Sequence, residues 1–390
     1  MNYKTLRDAD LKNKTVLVRM DLNVPVQDGK VSDTTRIDRL KPTIDYLIES
    51  GIKQAKIISH FGRPKGQKNP DFSLSFLPPV LSEQWGVDVG FGEETDTQIT
   101  LLENIRFHDG EEKNDPNFAK QRAKKADLYI NDAFSVSHRA HASTEGITHF
   151  LPSYAGLAME AELKTLENAL ESPISPVMAI VGGSKISTKL SVLNNLIYKV
   201  DYLVLGGAMA NTFLLAKGQN VGASMCEKDM IAEAQNIMAE ADKIGCQIVT
   251  PLDCVVTGKL EENAAHEITI LPDFPDNKSA VDVGEKSIAN VCSLLDNCNT
   301  LLWNGPMGVF EIKPFDNGTN KIAQYAAQLT KEGKLLSVAG GGDTVSAIDN
   351  ADVIDDFSYV STAGGAFLEW LEGKTLPGIA ALENAAQKAA

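Results

Sequence analysis

Short apolar runs alternate with longer amphipathic stretches along almost the whole chain, and this alternation limits the fold more than any other feature. The runs are KTVLVRM (14–20), AKIIS (55–59), ITLL (99–102) and LYI (128–130) in the first half. In the second half they are VMAIV (177–181), YLVL (202–205), QIV (247–249), TLLW (300–303), LLSV (335–338) and a short SYV (358–360). A strand that is apolar throughout needs cover on both faces, and intervening helices supply it. Residues 36–50 carry Ile37, Leu40, Ile44, Leu47 and Ile48 at helical spacing, with Gly51 placed as a C-cap. Residues 228–244 and 320–329 also read as helices. The expectation is a parallel α/β fold, and its recurrence over 390 residues predicts two units rather than one core. A single eight-stranded barrel is the alternative, which the strand count and the length both exceed.

The joint between the units is read at residues 159–176. MEAELKTLENAL places Met159, Leu163, Leu166 and Leu170 on one helical stripe, and Pro173 and Pro176 stop the helix. The predicted division is a first lobe over 1–158, a hinge helix and linker over 159–176, a second lobe over 177–363, and a closing segment, 364–390, that docks near the first lobe.

In open parallel sheets ligands bind beyond the carboxyl ends of the strands. In the first half those ends lead to Asp21 and Asn23, to His60 and Arg63, to Arg106, and to Arg139, while Arg36 opens the first helix. Arginine offers a rigid donor fork for carboxylate and phosphate oxygens. The chain carries 37 Lys and Arg against 52 Asp and Glu, a net charge of −15. Such a surface repels nucleic acid and anionic membranes at long range, so neither is expected as a partner. Arginines gathered at strand ends of so acidic a chain read as a local anion pocket.

The second half ends its strands in glycine: GGSKISTK (182–189), GGAMANTF (206–213), NGPMGVFE (304–311), AGGGDT (339–344) and STAGGA (361–366). Glycine lets the backbone approach a ligand and aim N–H groups at phosphate oxygens, and a helix start adds a favourable dipole end. Gly206, Gly207, Asn304, Gly341, Gly342 and Thr344 belong to this lining. Lys185 and Lys189, four apart at a loop-to-helix junction, would share a helix face and straddle a polyphosphate. Asp343 is placed to hold Mg²⁺ against phosphates, and Glu311 to accept from a ribose hydroxyl. Taken singly, each of these four is equally well a solvated surface residue.

Several classes fall away. GxxxxGK[ST] and GxGxxG are absent, as are HRD, DFG and GxSxG, which disfavours dinucleotide-dependent dehydrogenases, protein kinases and serine hydrolases. Five cysteines without a CxxC pair exclude a disulfide scaffold and fit a reducing cytoplasm. His138 and His141, with His149, lack the spacing of a zinc site. No apolar run reaches the roughly 20 residues of a membrane span. A non-catalytic, hinged metabolite-binding module shares the arginine cleft but leaves Lys185, Glu311 and Asp343 without a purpose.

At these residues the chain resembles the phosphoglycerate kinases. The matching motifs are RMDLNVP (19–25), the RI of Arg36 and Ile37, SHFGRP (59–64), LLENIRF (101–107), NDAFSVSHRAHAS (131–143), GGSKISTK, LGGAMANTF, WNGPMGVFE and GGGDT, distributed from about residue 4 to residue 387. The resemblance implies two Rossmann-like lobes joined by a hinge helix, with the C-terminal tail packing back toward the first. It implies a Mg²⁺-dependent, reversible phosphoryl transfer between 1,3-bisphosphoglycerate and ADP, giving 3-phosphoglycerate and ATP, in a monomer. By resemblance, Asp21, Asn23, Arg36, His60, Arg63, Arg106 and Arg139 hold the phosphoglycerate. Lys189, Gly206, Gly207, Asn304, Glu311 and the 341–344 stretch hold the nucleotide, with Asp343 at the metal. Arg36, Lys185, Gly364 and Gly365 meet the phosphoryl group in flight. Two departures stand out: the family usually reads STGGGA where Ala363 stands here, and many members have leucine at the position of Phe61. A requirement for positive φ at 363 would hinder alanine.

Overall fold

The apolar runs of the first half assemble into one parallel sheet. A computed structural model describes residues 2–361 and 363–388; Thr362 of the last glycine loop, Met1, Ala389 and Ala390 lie outside the described residues. By contacts the chain divides into two compact units, Met1–Lys164 with Thr375–Ala390, and Thr165–Lys374. The divisions expected from the sequence stand at 159, 177 and 364; the units divide after Lys164 and Lys374.

In the first unit the strands are β1 (Thr15–Met20), a small hairpin β2 (Val26–Gln27) and β3 (Lys30–Val31), then β4 (Gln54–Ile58), β5 (Val89–Phe91), β6 (Ile99–Leu101), β7 (Leu128–Asp132) and β8 (Ser153–Ala155). The six-stranded sheet runs β5-β6-β4-β1-β7-β8. Because side chains alternate across a strand, Val16, Val18 and Met20 enter one core while Leu17 enters the core on the opposite face. Arg19 falls on the Leu17 face. β5 and β8, three residues each at the sheet's edges, were not legible as apolar runs. The stretch expected as one helix over 36–50 is two, Thr35–Asp38 and Lys41–Glu49, with proline in the first turn of the second. Pro42 has no N–H to donate back, so it starts a helix rather than continuing one.

In the second unit the strands are β9 (Val177–Val181), β10 (Tyr202–Leu205), β11 (Gln247–Val249), β12 (Asp253–Thr257), β13 (His266–Ile270), β14 (Ser279–Val283), β15 (Thr300–Asn304), β16 (Leu336–Gly340) and β17 (Tyr359–Ser361). The parallel sheet runs β11-β10-β9-β15-β16-β17, and β13-β12-β14 form a separate antiparallel sheet that the apolar-run pattern did not reveal. β13 is solvent-exposed along most of its length, so it carries no continuous apolar signal. Strand order reverses between β9 and β15 here, and between β1 and β7 in the first unit. These are the two switch points at which open α/β sheets bind ligands.

The stripe Met159, Leu163, Leu166 and Leu170 is buried throughout. The helix is α over Leu157–Leu166 and becomes a π-turn over Glu167–Glu171, not a single α-helix to Leu170. The end of the chain is shared: Gly364–Leu371 is a helix of the second unit, and Pro377–Lys388 packs on the first, where the Gly378 amide donates to the Ser137 carbonyl at 2.8 Å.

Candidate functional site

At the switch point of the first unit, Asp21 follows β1 and Ser135 follows β7. The Asp21 carboxylate accepts from the Ser135 hydroxyl at 2.6 Å and from Arg36 Nη1 at 2.8 Å. The same Nη1 donates to the Asn23 carbonyl at 3.0 Å, and Asn23 Oδ1 accepts from the Gly62 amide at 2.9 Å. The Gly62 carbonyl accepts from Arg106 Nη1 at 2.9 Å. Asp21, Asn23, Arg36 and Arg106 are therefore one continuous hydrogen-bonded group. Arg106 is held there by Asn104, whose side chain accepts the Arg106 amide and donates to the Phe61 and Phe72 carbonyls. His60 is buried beside it, with Nδ1 3.1 Å from Arg19 Nη2. Arg139 is exposed and donates through Nε to His138, while Arg63 is exposed and makes no hydrogen bond to the group among the described residues.

Positive charge is concentrated here. Burial, with Arg19 and Arg139 nearby, lowers the Arg106 guanidinium to about 10 against the pull of Glu112. Burial and the fields of Arg106, Arg19 and Arg139 lower His141 to about 4. Burial and Arg19 hold His60 well below the usual imidazole range. Burial pushes the Asp21 carboxyl up, but Arg36 and the bonds from the Ser135 hydroxyl and the Asn23 amide act against it, and the carboxyl stays low. Like charges crowded in one pocket raise each other's energy, and an anion relieves it. Arg19, Ser135, Ser143 and Glu111 belong to this network and were not singled out from sequence. Arg19 had a signal, a charge inside the apolar run TVLVRM; Glu111 sits in a polar run and had none.

In the second unit the loops after β9, β10 and β15 bound a cavity of about 770 Å³ whose lining includes Gly207, Met307, Glu311 and Asp343. β12 and β14 form part of its wall through Cys254 and Val281. Several of these glycines are required by the backbone of a neighbouring loop. A Cβ on Gly182 would lie 1.9 Å from the Pro306 carbonyl oxygen, and one on Gly207 2.6 Å from the Gly183 oxygen. Gly206 is pressed against Met307. Gly342 differs: a Cβ there meets open space.

Asn304 and Thr344 are buried and brace the loops: Asn304 Nδ2 donates to the Gly340 carbonyl at 2.7 Å, and the Thr344 hydroxyl accepts the Gly305 amide at 2.7 Å. Lys189 donates to the Asn304 side-chain oxygen, and burial lowers its pKa against the fields of Asp343 and Glu372. The helix after this loop begins only at Leu190, so Lys185 and Lys189 do not share a helix face; Lys185 lies in the exposed loop and Lys189 stands at the position just before the helix. Glu311 and Asp343 are exposed on the cavity's rim. Gly364 lies 3.8 Å from Gly341 and Gly342, measured from its ideal Cβ, so helices Gly342–Asn350 and Gly364–Leu371 start side by side with Gly365 in the first turn of the latter. Ala363 has φ −97°, which alanine adopts without strain, so the departure from glycine costs nothing in this conformation.

Among the described residues no three His, Cys, Asp or Glu side chains are grouped to hold a metal ion. Asp343 alone suits a Mg²⁺ that takes most of its ligands from phosphate oxygens and water. Among the described residues no helix is long and apolar enough to cross a membrane.

A family model described as phosphoglycerate kinase matches residues 6–374. The phosphoglycerate kinase of Rhizobium leguminosarum bv. trifolii is 53% identical over 98% of this chain and 99% of that protein. That of Brucella abortus is 50% identical over 98% and 100%. The structure of phosphoglycerate kinase from Coxiella burnetii superposes with a TM-score of 0.93 at 40% identity, covering 98% of this chain and 100% of that one. The enzyme from Pyrococcus horikoshii gives 0.79 at 30%, with 99% of each chain covered.

Proposed function

The chain belongs to the phosphoglycerate kinase family and is a phosphotransferase, and we propose that it moves a phosphoryl group in line between 1,3-bisphosphoglycerate and ADP, each substrate held by its own unit. The observation that carries this reading is the continuous Arg36–Asn23–Gly62–Arg106 group in the first unit, which crowds cations at a switch point. Asp21, Asn23, Arg36, His60, Arg63, Arg106 and Arg139 bind the three-carbon acid through its carboxylate and phosphate. Gly207, Glu311 and Asp343 bind the nucleotide in the cavity of the second unit. Lys189, Gly206, Asn304, Gly341, Gly342 and Thr344 shape its phosphate end.

The acceptor in the ATP-consuming direction is a carboxylate, ionised at neutral pH, so no general base is needed. The chemistry asks for alignment and for donors around spreading oxygen charge. Arg36, Lys185 and the amides of Gly364 and Gly365 supply them. Asp343 would hold Mg²⁺, which when bound offsets the charge of the nucleotide's phosphates.

The test is a coupled assay of ATP-dependent phosphorylation of 3-phosphoglycerate, with and without Mg²⁺. Saturable, Mg²⁺-dependent turnover is expected; its absence in folded protein refutes the reading.

A further inference from the structure

Arg19 stands inside the central strand β1 and is 1% exposed. Its three kinds of nitrogen go three ways. Nε donates to the Ser143 hydroxyl oxygen at 3.0 Å, Nη1 to the Met20 carbonyl, and Nη2 lies 3.1 Å from His60 Nδ1. A guanidinium carries donors and no acceptor, so the ring nitrogen facing it must be the acceptor. Nδ1 of His60 then keeps its lone pair, and the ring proton sits on Nε2.

Protonating Nδ1 would set one N–H against another and add a cation to a pocket that already holds several. The charged groups acting on His60 are Arg19, Arg36 and Arg106, with Asp21 alone opposing them. Arg19 is itself balanced from behind. Ser143 donates its hydroxyl to Glu111 Oε1 at 2.6 Å and its amide to Oε2 at 3.0 Å, and Glu111 is fully buried. The sequence of contacts is Glu111, Ser143, Arg19, His60, with the Ser143 hydroxyl directed at Glu111 and the guanidinium spanning Ser143 and His60.

We propose that Arg19 is a positioning residue that locks His60 as the neutral Nε2–H tautomer, so that the ring presents one fixed donor to an anionic oxygen of the bound substrate. The lock needs the fork and not only the charge. Lysine would keep the charge, but its donors radiate from one atom and cannot serve Ser143, Met20 and His60 together. The last step of the proposal, delivery of the donor to substrate, rests on the anion-pocket reading above; the tautomer itself does not.

The experiment is ¹⁵N NMR of the histidine rings in the full-length chain, with His60 assigned through a His60→Gln variant. In the wild type, His60 is expected to show an unprotonated Nδ1 and a protonated Nε2 from about pH 5 to about pH 8. Arg19→Lys is expected to give mixed tautomers or an imidazolium in that range. It should also raise KM for 3-phosphoglycerate about tenfold, with a new pH dependence and a smaller change in kcat. A wild-type ring protonated on Nδ1 at neutral pH overturns the proposal, as does an unchanged ring in Arg19→Lys. Should that variant not fold, the wild-type spectrum decides. The pocket reading fails separately, if 3-phosphoglycerate added to the wild type leaves the His60 signals unmoved.

Discussion

Glu227 grips Ser187 at two points: Oε1 accepts the Ser187 hydroxyl at 2.6 Å and Oε2 its amide at 3.1 Å. The segment carrying Glu227 is itself fastened to the helix Gly207–Ala216, where Asn211 donates to the Met225 carbonyl at 3.1 Å and the Glu227 amide donates to Thr212 at 3.0 Å. The exposed loop of Lys185 is thus tied to the framework of the second unit. Removing the carboxylate frees the loop without emptying a core. Glu227→Ala is expected to lower kcat about tenfold, with little change in melting temperature, because a misplaced cation loses alignment before it loses binding. Glu227→Gln should retain more, since its amide oxygen still accepts. Steady-state kinetics beside a thermal melt will distinguish this from a structural role, in which the melting temperature falls and kcat does not.

Lys185 itself is proposed to act on the phosphoryl group rather than on bound nucleotide. Lys185→Ala should therefore reduce kcat by about 10², the value of one well-placed charge contact, or roughly 3 kcal/mol. The dissociation constant of ADP, measured by calorimetry, should move far less. Equal losses in both would make Lys185 a binding residue.

The strand ends were legible because a both-faces-buried parallel strand must be apolar along its length, and ligands bind at the residues just past its carboxyl end. Asn23 and Arg106 could be named on that ground, and Arg36 from its place at the start of the first helix. What escaped the sequence were contacts made by fold rather than by spacing. Ser135 meets Asp21 only because β1 and β7 are neighbours. Glu111 reaches Arg19 through Ser143, 32 residues further along the chain. The antiparallel layer β13-β12-β14, whose strand β13 lies mostly in solvent, has too little apolar continuity to announce itself. The glycine loops were read as ligand lining, and Gly182, Gly206, Gly207 and Gly305 also let the backbones of neighbouring loops approach closely.

That distinction between glycines is measurable. At Gly182 an alanine Cβ would meet the Pro306 oxygen at 1.9 Å and Gly305 at 2.8 Å, all backbone atoms that cannot swing aside. Gly182→Ala should destabilise by about 2–3 kcal/mol and weaken nucleotide binding, as the loops that bound the cavity part. At Gly342 nothing lies within 4 Å of the same atom. Gly342→Ala should leave stability unchanged or slightly raised, alanine being the better helix former, while a methyl group at the phosphate end still lowers turnover. Urea unfolding and kinetics on the pair test this, and equal stability losses would contradict it.

Asp132 gives the chain a pH dependence of known sign. It ends β7 and is 3% exposed; its Oδ1 accepts the Met159 amide at 2.8 Å, at the start of the Leu157–Leu166 helix, and its Oδ2 is buried without a hydrogen-bond partner. Burial raises the carboxyl from its ordinary 3.8 to about 6, against the pull of Thr43, Met159 and Ala158. Between those values the folded chain holds a proton that the unfolded chain has released, so stability falls as pH rises through the window and levels off above about 6. The gap between the folded and unfolded values bounds the effect at roughly 3 kcal/mol. Asp132→Asn keeps the Oδ1 acceptor and cannot ionise, so its stability relative to the wild type should increase by about 1–3 kcal/mol between pH 4 and pH 7. The amide's unpaired nitrogen adds a cost that does not vary with pH. Urea unfolding of both proteins across that range gives the difference directly, and a flat difference would mean that Asp132 ionises in the fold as it does in water.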